Sequence, residues 1–131
     1  MKFAHVTVSV KNLEESLRFY RDIIGLPVQR RFLAGESEIV FLVGGETEIE
    51  LICGDNKPDV SFGQDISLGF EVSSLEETIR RLEQYDIAIG DIFQPNPHVR
   101  FAFASDPNGL RIQFVEQMEP SKSRKSKDVN E

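Results

Sequence analysis

Cysteine occurs once in the 131 residues, at Cys53, and tryptophan does not occur. A single thiol excludes an internal disulfide framework and any multi-cysteine zinc site. No apolar run approaches the ~20 residues needed to cross a bilayer, so no membrane partner is expected. The opening segment lacks the apolar stretch of a secretion signal, because Lys11, Glu14, Glu15 and Arg18 interrupt it. A cytoplasmic protein is the resulting expectation. Basic residues are outnumbered, 15 against 22 acidic, and the formal charge is −7. From Gln117 onward four basic residues face three acidic ones, so this stretch is net +1 and the remainder carries −8. A body that acidic repels phosphate backbones, which argues against nucleic acid as a partner. The stretch 118–131 has too few apolar residues to offset the cost of ordering, and a disordered basic tail is expected there.

The chain does contain a globular balance of 40% apolar and 28% charged residues, with ten phenylalanines for a core. It also contains a repeat. Val10-Lys-Asn-Leu-Glu-Glu-Ser-Leu-Arg18 lies over Val72-Ser-Ser-Leu-Glu-Glu-Thr-Ile-Arg80 at an offset of 62, with five identities in nine. Each half reads as strand, helix and three strands. In the first, Phe3 to Val10 alternates, Asn12 and Glu15 start a helix, and Leu13, Leu17, Tyr20 and Ile24 form its apolar stripe up to Gly25. Strands follow at Val28–Leu33, Glu38–Val43 and Glu48–Cys53, the last two joined by a hairpin at Gly44-Gly45. In the second, the strand is Ile66–Val72, and Ser74 with Glu77 starts the helix carrying Leu75, Ile79 and Leu82. Strands at Ile89–Phe93, Val99–Ala104 and Leu110–Val115 complete it, and Asp106-Pro-Asn-Gly109 turns the last hairpin. The expected organisation is a first module at 1–55, a linker at 56–65, a second module at 66–117 and the tail. About fifty residues is small for an independent core, so the modules should pack together.

The repeat aligns the polar residues. His5 maps onto Ser67 at an offset of 62, and Glu50 onto Gln113 at an offset of 63. A polar side chain in mid-strand needs a reason, because inward positions are usually apolar. Imidazole and carboxylate on neighbouring strands suit a divalent metal with mixed nitrogen and oxygen ligands, and Gln113 adds a neutral oxygen. The alternatives are a hydrogen-bonded structural histidine and a solvated carboxylate. Ser67 and Gln113 suit a ligand pocket. His98 stands in Pro95-Asn-Pro-His-Val-Arg100, which reads as a loop leading into a strand. Arg100, and Arg30-Arg31 in the first half, are candidates to grip an anionic group, against simple surface solvation. Cys53 reads as a small core residue.

These features together resemble the vicinal oxygen chelate superfamily, which contains glyoxalase I, bleomycin-resistance proteins and extradiol dioxygenases. The carriers are Phe3-Ala-His-Val-Thr-Val-Ser-Val, Asn12 to Tyr20 with Gly25-Leu26, Ile49-Glu50-Leu51, Leu68-Gly-Phe-Glu-Val72, and Asp106-Pro-Asn-Gly109 through Gln113. The resemblance spans residues 3 to 116. It implies an α+β fold of two tandem βαβββ modules forming a curved mixed sheet around a cleft, and a homodimer. It implies a site for a small-molecule ligand or substrate.

Bacterial glyoxalase I places His, Glu, His and Glu at four metal positions. Here His5 and Glu50 match the first two, Ser67 stands at the third and Gln113 at the fourth. By resemblance, His5, Glu50 and Gln113 are the metal ligands, for Zn, Ni, Co, Mn or Fe. Ser67, Gln113, His98 and Arg100 are the substrate-binding candidates. An amide cannot act as a base near neutral pH, so the proton mover becomes Glu50, His98 or a group that the sequence does not single out. The expected activity is a metal-dependent lyase or isomerase acting on a small carbonyl or thiol-adduct substrate. The alternative is a metal-free drug- or metabolite-binding protein of the bleomycin-resistance type.

Overall fold

A computed structural model describes residues 1–54 and 59–118. The expected linker is therefore described only from Asp59, and the expected basic tail, apart from Met118, lies outside the described residues. Two compact units emerge. The first comprises Met1–Phe62 with Asp106–Gly109, and the second Gly63–Ser105 with the chain from Leu110 on. Among the described residues no helix is long and apolar enough to cross a membrane.

In the first unit, β1 (His5–Ser9), β2 (Val28–Ala34), β3 (Ser37–Gly44) and β4 (Thr47–Gly54) form one sheet in the order β1-β4-β3-β2. The β1–β4 pair is parallel and the other pairs are antiparallel. One face is the core. Val8, Leu51 and Val40 lie side by side across three strands, as do Val6, Ile49 and Leu42. All but Val6 are buried. Helix α1 (Leu13–Leu17) supplies Leu13 and Leu17 to this core. Asn12 caps it, its side chain accepting from the Glu15 N–H at 2.9 Å, as the Asn-x-x-Glu signal predicts.

The helix then continues as π-helical turns over Arg18–Ile24. The wider i→i+5 winding changes the phase of the stripe. Ile23, and not the expected Ile24, takes the buried position. Gly25 closes the helix at φ +99, a left-handed conformation that residues with a Cβ rarely adopt.

The second unit repeats the plan. Strands β5 (Ser67–Glu71), β6 (Phe93–Asn96), β7 (Val99–Ser105) and β8 (Arg111–Gln117) form a sheet in the order β5-β8-β7-β6. Helix α2 (Leu75–Gln84), capped by Ser74, buries Leu75 and Leu82, and strands β7 and β8 bury Ala102, Ala104, Ile112 and Phe114. Each module is thus βαβββ. The α+β class is as expected, with hydrogen bonding that divides the strands into two mixed four-stranded sheets.

One strand departs from the sequence reading. Ile89 makes only an isolated bridge to Ala104, and β6 runs instead from Phe93 to Asn96, through Pro95. The segment 95–98 reads as a loop because of its two prolines. An edge strand tolerates proline, since one side of it needs no donor, and β6 is an edge strand.

Candidate functional site

The strand period of two decides what each sheet shows on the face away from its helix. In the first module this open face carries His5 and Thr7 from β1, Glu48 and Glu50 from β4, Phe41 from β3, and Arg30 from β2. His5 Nε2 stands 3.5 Å from Glu50 Oε1. Thr7, directly across from Glu50 in the register, donates its hydroxyl to the same oxygen at 2.5 Å. Glu50 Oε2 takes no hydrogen bond among the described residues. The Glu50 side chain is only 15% exposed, whereas His5 is 40% exposed, so the imidazole forms the accessible lip of the pair.

Neighbours fix these groups in place. The His5 ring meets Phe41 edge-on, with centroids 5.4 Å apart. The Arg30 guanidinium lies 3.9 Å above the same ring and makes two 3.2 Å hydrogen bonds to the two carboxylate oxygens of Glu48. This fork-on-carboxylate geometry is the strong form of the ion pair. Arg31, one residue along, points to the other face and pairs with Glu38 and Glu14, whose hydrogen bonds push its guanidinium pKa further up.

Among the described residues, no group of three or more His, Cys, Asp or Glu side chains is placed to hold a metal ion. His5 and Glu50 supply two donors. Two ligand atoms on a tetrahedral ion with bonds of ~2.1 Å are about 3.4 Å apart, so the observed 3.5 Å fits one edge of such a site. The pair fits a divalent metal as a partial ligand set, and a full set draws on further donors such as water or substrate oxygens.

On the open face of the second module, Ser67 pairs in register with Arg111, and Gly69 with Gln113. Gln113 is half-buried, and its Oε1 would lie 3.4 Å from a Cβ at position 69. The glycine therefore keeps open the space that Thr7 fills in the first module. The registers confirm the alignment of His5 with Ser67 and of Glu50 with Gln113.

Two sequence candidates are not brought to these groups. Arg100 lies on the helix-facing side of its sheet, opposite the face of Gln113. It donates to Glu116 Oε1 at 3.0 Å and to Glu76 Oε1 at 2.5 Å, and Glu116 Oε1 also accepts the first N–H of α2, from Leu75. The guanidinium is thus a strut between helix and sheet. Its hydrogen bond holds the Glu76 carboxyl below the usual carboxylate range. His98 is the second residue of the tight turn between β6 and β7. Its N–H donates to Asn96 Oδ1 at 2.7 Å, and its carbonyl accepts from Met118 at 2.7 Å. From Gln117, at that end of the sheet, to Gln113 is four residues, roughly 13 Å of strand.

Sequence reasoning passed over Thr7, Glu48 and Arg111. The signal for Thr7 was its parity with His5. Asp106 was read only as a turn former. It is buried, and Tyr20, fully buried in the π-helical segment, donates its hydroxyl to Asp106 Oδ2 at 2.6 Å.

Comparison with known proteins agrees with this architecture. Residues 2–114 match the family model of the Glyoxalase/Bleomycin resistance protein/Dioxygenase superfamily. A lactoylglutathione lyase of Neisseria meningitidis is 27% identical over 126 residues, covering 89% of this chain and 91% of that protein. The uncharacterized protein YraH of Bacillus subtilis is 28% identical over 130 residues, covering 90% and 100%. Among solved structures, the trypanothione-dependent glyoxalase I of Leishmania major superposes with a TM-score of 0.78 at 21% identity, over 98% of this chain and 94% of that one. TnmS3, an antibiotic-binding protein from Streptomyces sp. CB03234, superposes with a TM-score of 0.74 at 18% identity, over 89% and 96%. Those two likenesses establish the fold, and the family model, which spans most of the sequence, establishes descent: the chain belongs to the Glyoxalase/Bleomycin resistance protein/Dioxygenase superfamily.

Proposed function

We propose that this protein is a divalent-metal-dependent lyase or isomerase acting on a small carbonyl or thiol-adduct substrate. The observation that carries the reading is the 3.5 Å approach of His5 Nε2 to Glu50 Oε1 on an open sheet face. The likeness to a lactoylglutathione lyase supports the reaction class. His5 and Glu50 Oε1 would hold the metal, with Zn, Ni, Co, Mn and Fe the candidates. Bound there, the metal would polarise a substrate carbonyl and stabilise negative charge developing on its oxygen. Thr7 donates to Oε1 and leaves Oε2 without a hydrogen bond among the described residues. That oxygen is the proton acceptor for a carbon next to the carbonyl and returns the proton to the neighbouring carbon. Gln113 cannot take this part, because an amide is neither acid nor base at neutral pH. Gln113 and Ser67 are neutral hydrogen-bonding groups for a ligand on the second module's own open face.

The test is metal content and affinity in protein purified without chelator. The expected result is a stoichiometric transition metal in the wild type and its loss in His5→Ala and Glu50→Gln. Formation of lactoylglutathione provides the activity readout. A wild-type protein that takes up less than about a tenth of an equivalent of every candidate metal refutes the reading.

A second reading has its own support. The open face of the second module carries Phe93, Phe101 and Phe103 in ring contact, Phe93 over Phe101 at 5.8 Å and Phe101 against Phe103 at 5.7 Å. Such a surface suits capture of an apolar ligand without chemistry. Ligand-induced stabilisation that is unchanged by chelator and by His5→Ala selects this alternative. On either reading the protein is proposed to be a cytoplasmic homodimer.

A further inference from the structure

On their open faces the two modules repeat the same frame with opposite charge at one position. Glu48 and Arg111 are equivalent. Each stands two residues before the equivalent pair Glu50 and Gln113, and each pairs in register with the equivalent residues His5 and Ser67. Phe41 and Phe103 are likewise equivalent, lying across from Glu50 and Gln113. Both rings are covered by a guanidinium. In the first module the cover is Arg30, and Glu48 neutralises it through two hydrogen bonds. In the second module the cover is Arg111 itself, with its guanidinium carbon 4.2 Å from the Phe103 centroid.

Arg111 has no carboxylate partner among the described residues. The carboxylate that quenches the first arginine has been replaced by the second. Glu71 shares the open face, but it lies four residues along β5 from Ser67, roughly 13 Å away. Asp86 lines the same hollow of about 540 Å³ as Arg111 and Phe103, without forming an ion pair with Arg111. In a chain of net charge −7, an exposed guanidinium lying over an aromatic ring and without a carboxylate partner among the described residues stands out. Its fork of donors suits two oxygens of one anion.

We propose that Arg111 is the anion-recognition residue of this protein. The open face of the second module takes a small ligand through a carboxylate or phosphate group on Arg111, while the ligand's apolar part lies on Phe103 and Phe101. The proposal rests on the reading that these faces serve a small molecule, and it does not depend on whether His5 and Glu50 hold a metal. It assigns the substrate class as anionic, with an aromatic or otherwise flat apolar body.

The experiment is a binding titration by calorimetry and by amide chemical shifts, in metal-free buffer, with benzoate, phenyl phosphate and the uncharged benzamide as probes. Wild type, Arg111→Gln, Arg111→Lys and His5→Ala are compared, and circular dichroism verifies that each is folded. The wild type should bind one or both anions, with shifts centred on Phe103 and Gln113, at least about tenfold tighter than benzamide. Arg111→Gln should lose that preference, and Arg111→Lys should recover only part of it, having charge without the fork. The ratio of benzoate to phenyl phosphate affinity identifies which oxyanion the site prefers. His5→Ala should bind the anions like wild type even if it fails to bind metal, which separates this proposal from the metal reading. Three results would overturn the proposal: anions bound no better than benzamide, an anion preference that survives Arg111→Gln in a folded protein, or no binding of either anion at millimolar concentration.

Discussion

Replacing Tyr20 with phenylalanine should destabilise the protein far more than the loss of one oxygen suggests. Tyr20 is fully buried, and its hydroxyl donates to Asp106 Oδ2 at 2.6 Å. Asp106 is itself 5% exposed, and its other oxygen accepts from the Asn108 N–H at 2.8 Å. Phenylalanine keeps the ring packing, including the edge contact with Phe19 at 5.0 Å, so no large cavity forms. What is lost is a hydrogen bond to an ionised acceptor at a buried position, about 1.5–3 kcal/mol. The expected loss is therefore about 2–3 kcal/mol, a fall in Tm of roughly 6–15 °C for a chain of this size.

Urea unfolding of wild type and Tyr20→Phe measures this loss directly. In an Asp106→Asn background the acceptor is neutral, and the same substitution should cost only about 0.5–1.5 kcal/mol. The pH dependence gives a second readout. Burial first, then the charge of Asp106 and the hydrogen bond to it, push the Tyr20 phenol above its ordinary 10.0. A raised folded-state value means that the stabilisation is complete below pH 10 and is lost as pH rises beyond it. Of the two tyrosines, Tyr20 should ionise only as the far-UV circular dichroism collapses. A Tyr20→Phe cost below about 0.5 kcal/mol, the range of ordinary surface substitutions, or ionisation of both phenols in a folded chain, refutes the account.

Two further outcomes follow from the geometry. Arg100→Gln should lower stability by about 1 kcal/mol through the lost Glu116 contacts, measured by urea titration, with no change in ligand affinity. Arg100 also holds the Glu76 carboxyl below its ordinary 4.5, so the Glu76 contact stabilises above this value and is lost as pH falls below it, and the variant's acid limb should be flatter. Thr7→Val keeps the side-chain shape but removes the hydroxyl that fixes Glu50, and divalent-metal affinity should fall about tenfold, with recovery in Thr7→Ser. Unchanged affinity would show that strand packing alone positions the carboxylate.

The fold was legible because its signals are local and periodic. The Asn12 and Ser74 caps, the alternation of β1 and the 62-residue offset each specify an element without knowledge of its neighbours. The slip from 62 to 63 between the first and last strands is visible in the registers, where His5 pairs with Glu48 but Ser67 with Arg111, one residue further along. Residues 95–96 were misread because proline marks a loop in general but is acceptable on an edge strand, and sequence alone does not say which strand is the edge. Ile23 displaced Ile24 because a π-helical turn has no strong sequence signature.

The site was half legible for a different reason. Parity places His5, Thr7 and Glu50 on one face once the strands are known, and so it paired the imidazole with the carboxylate. Parity alone does not say which face of β7 turns inward. In Val99-Arg100-Phe101-Ala102-Phe103-Ala104, the large aromatic residues look like the core side and Arg100 like the outer side. The structure has the reverse: Ala102 and Ala104 are buried toward the helix side, and Phe101 and Phe103 share the open face with Gln113. Small residues let a helix approach its sheet closely, and that requirement outranks hydrophobicity in choosing which face turns inward. Phe101 and Phe103 remain half-exposed and Phe93 is exposed at 52%, although burying the rest of each ring would stabilise the fold by about 1 kcal/mol apiece. A contiguous aromatic surface left open at that cost is the mark of a binding face, and beside it sits Arg111, where the open face of the repeat exchanges a carboxylate for a guanidinium.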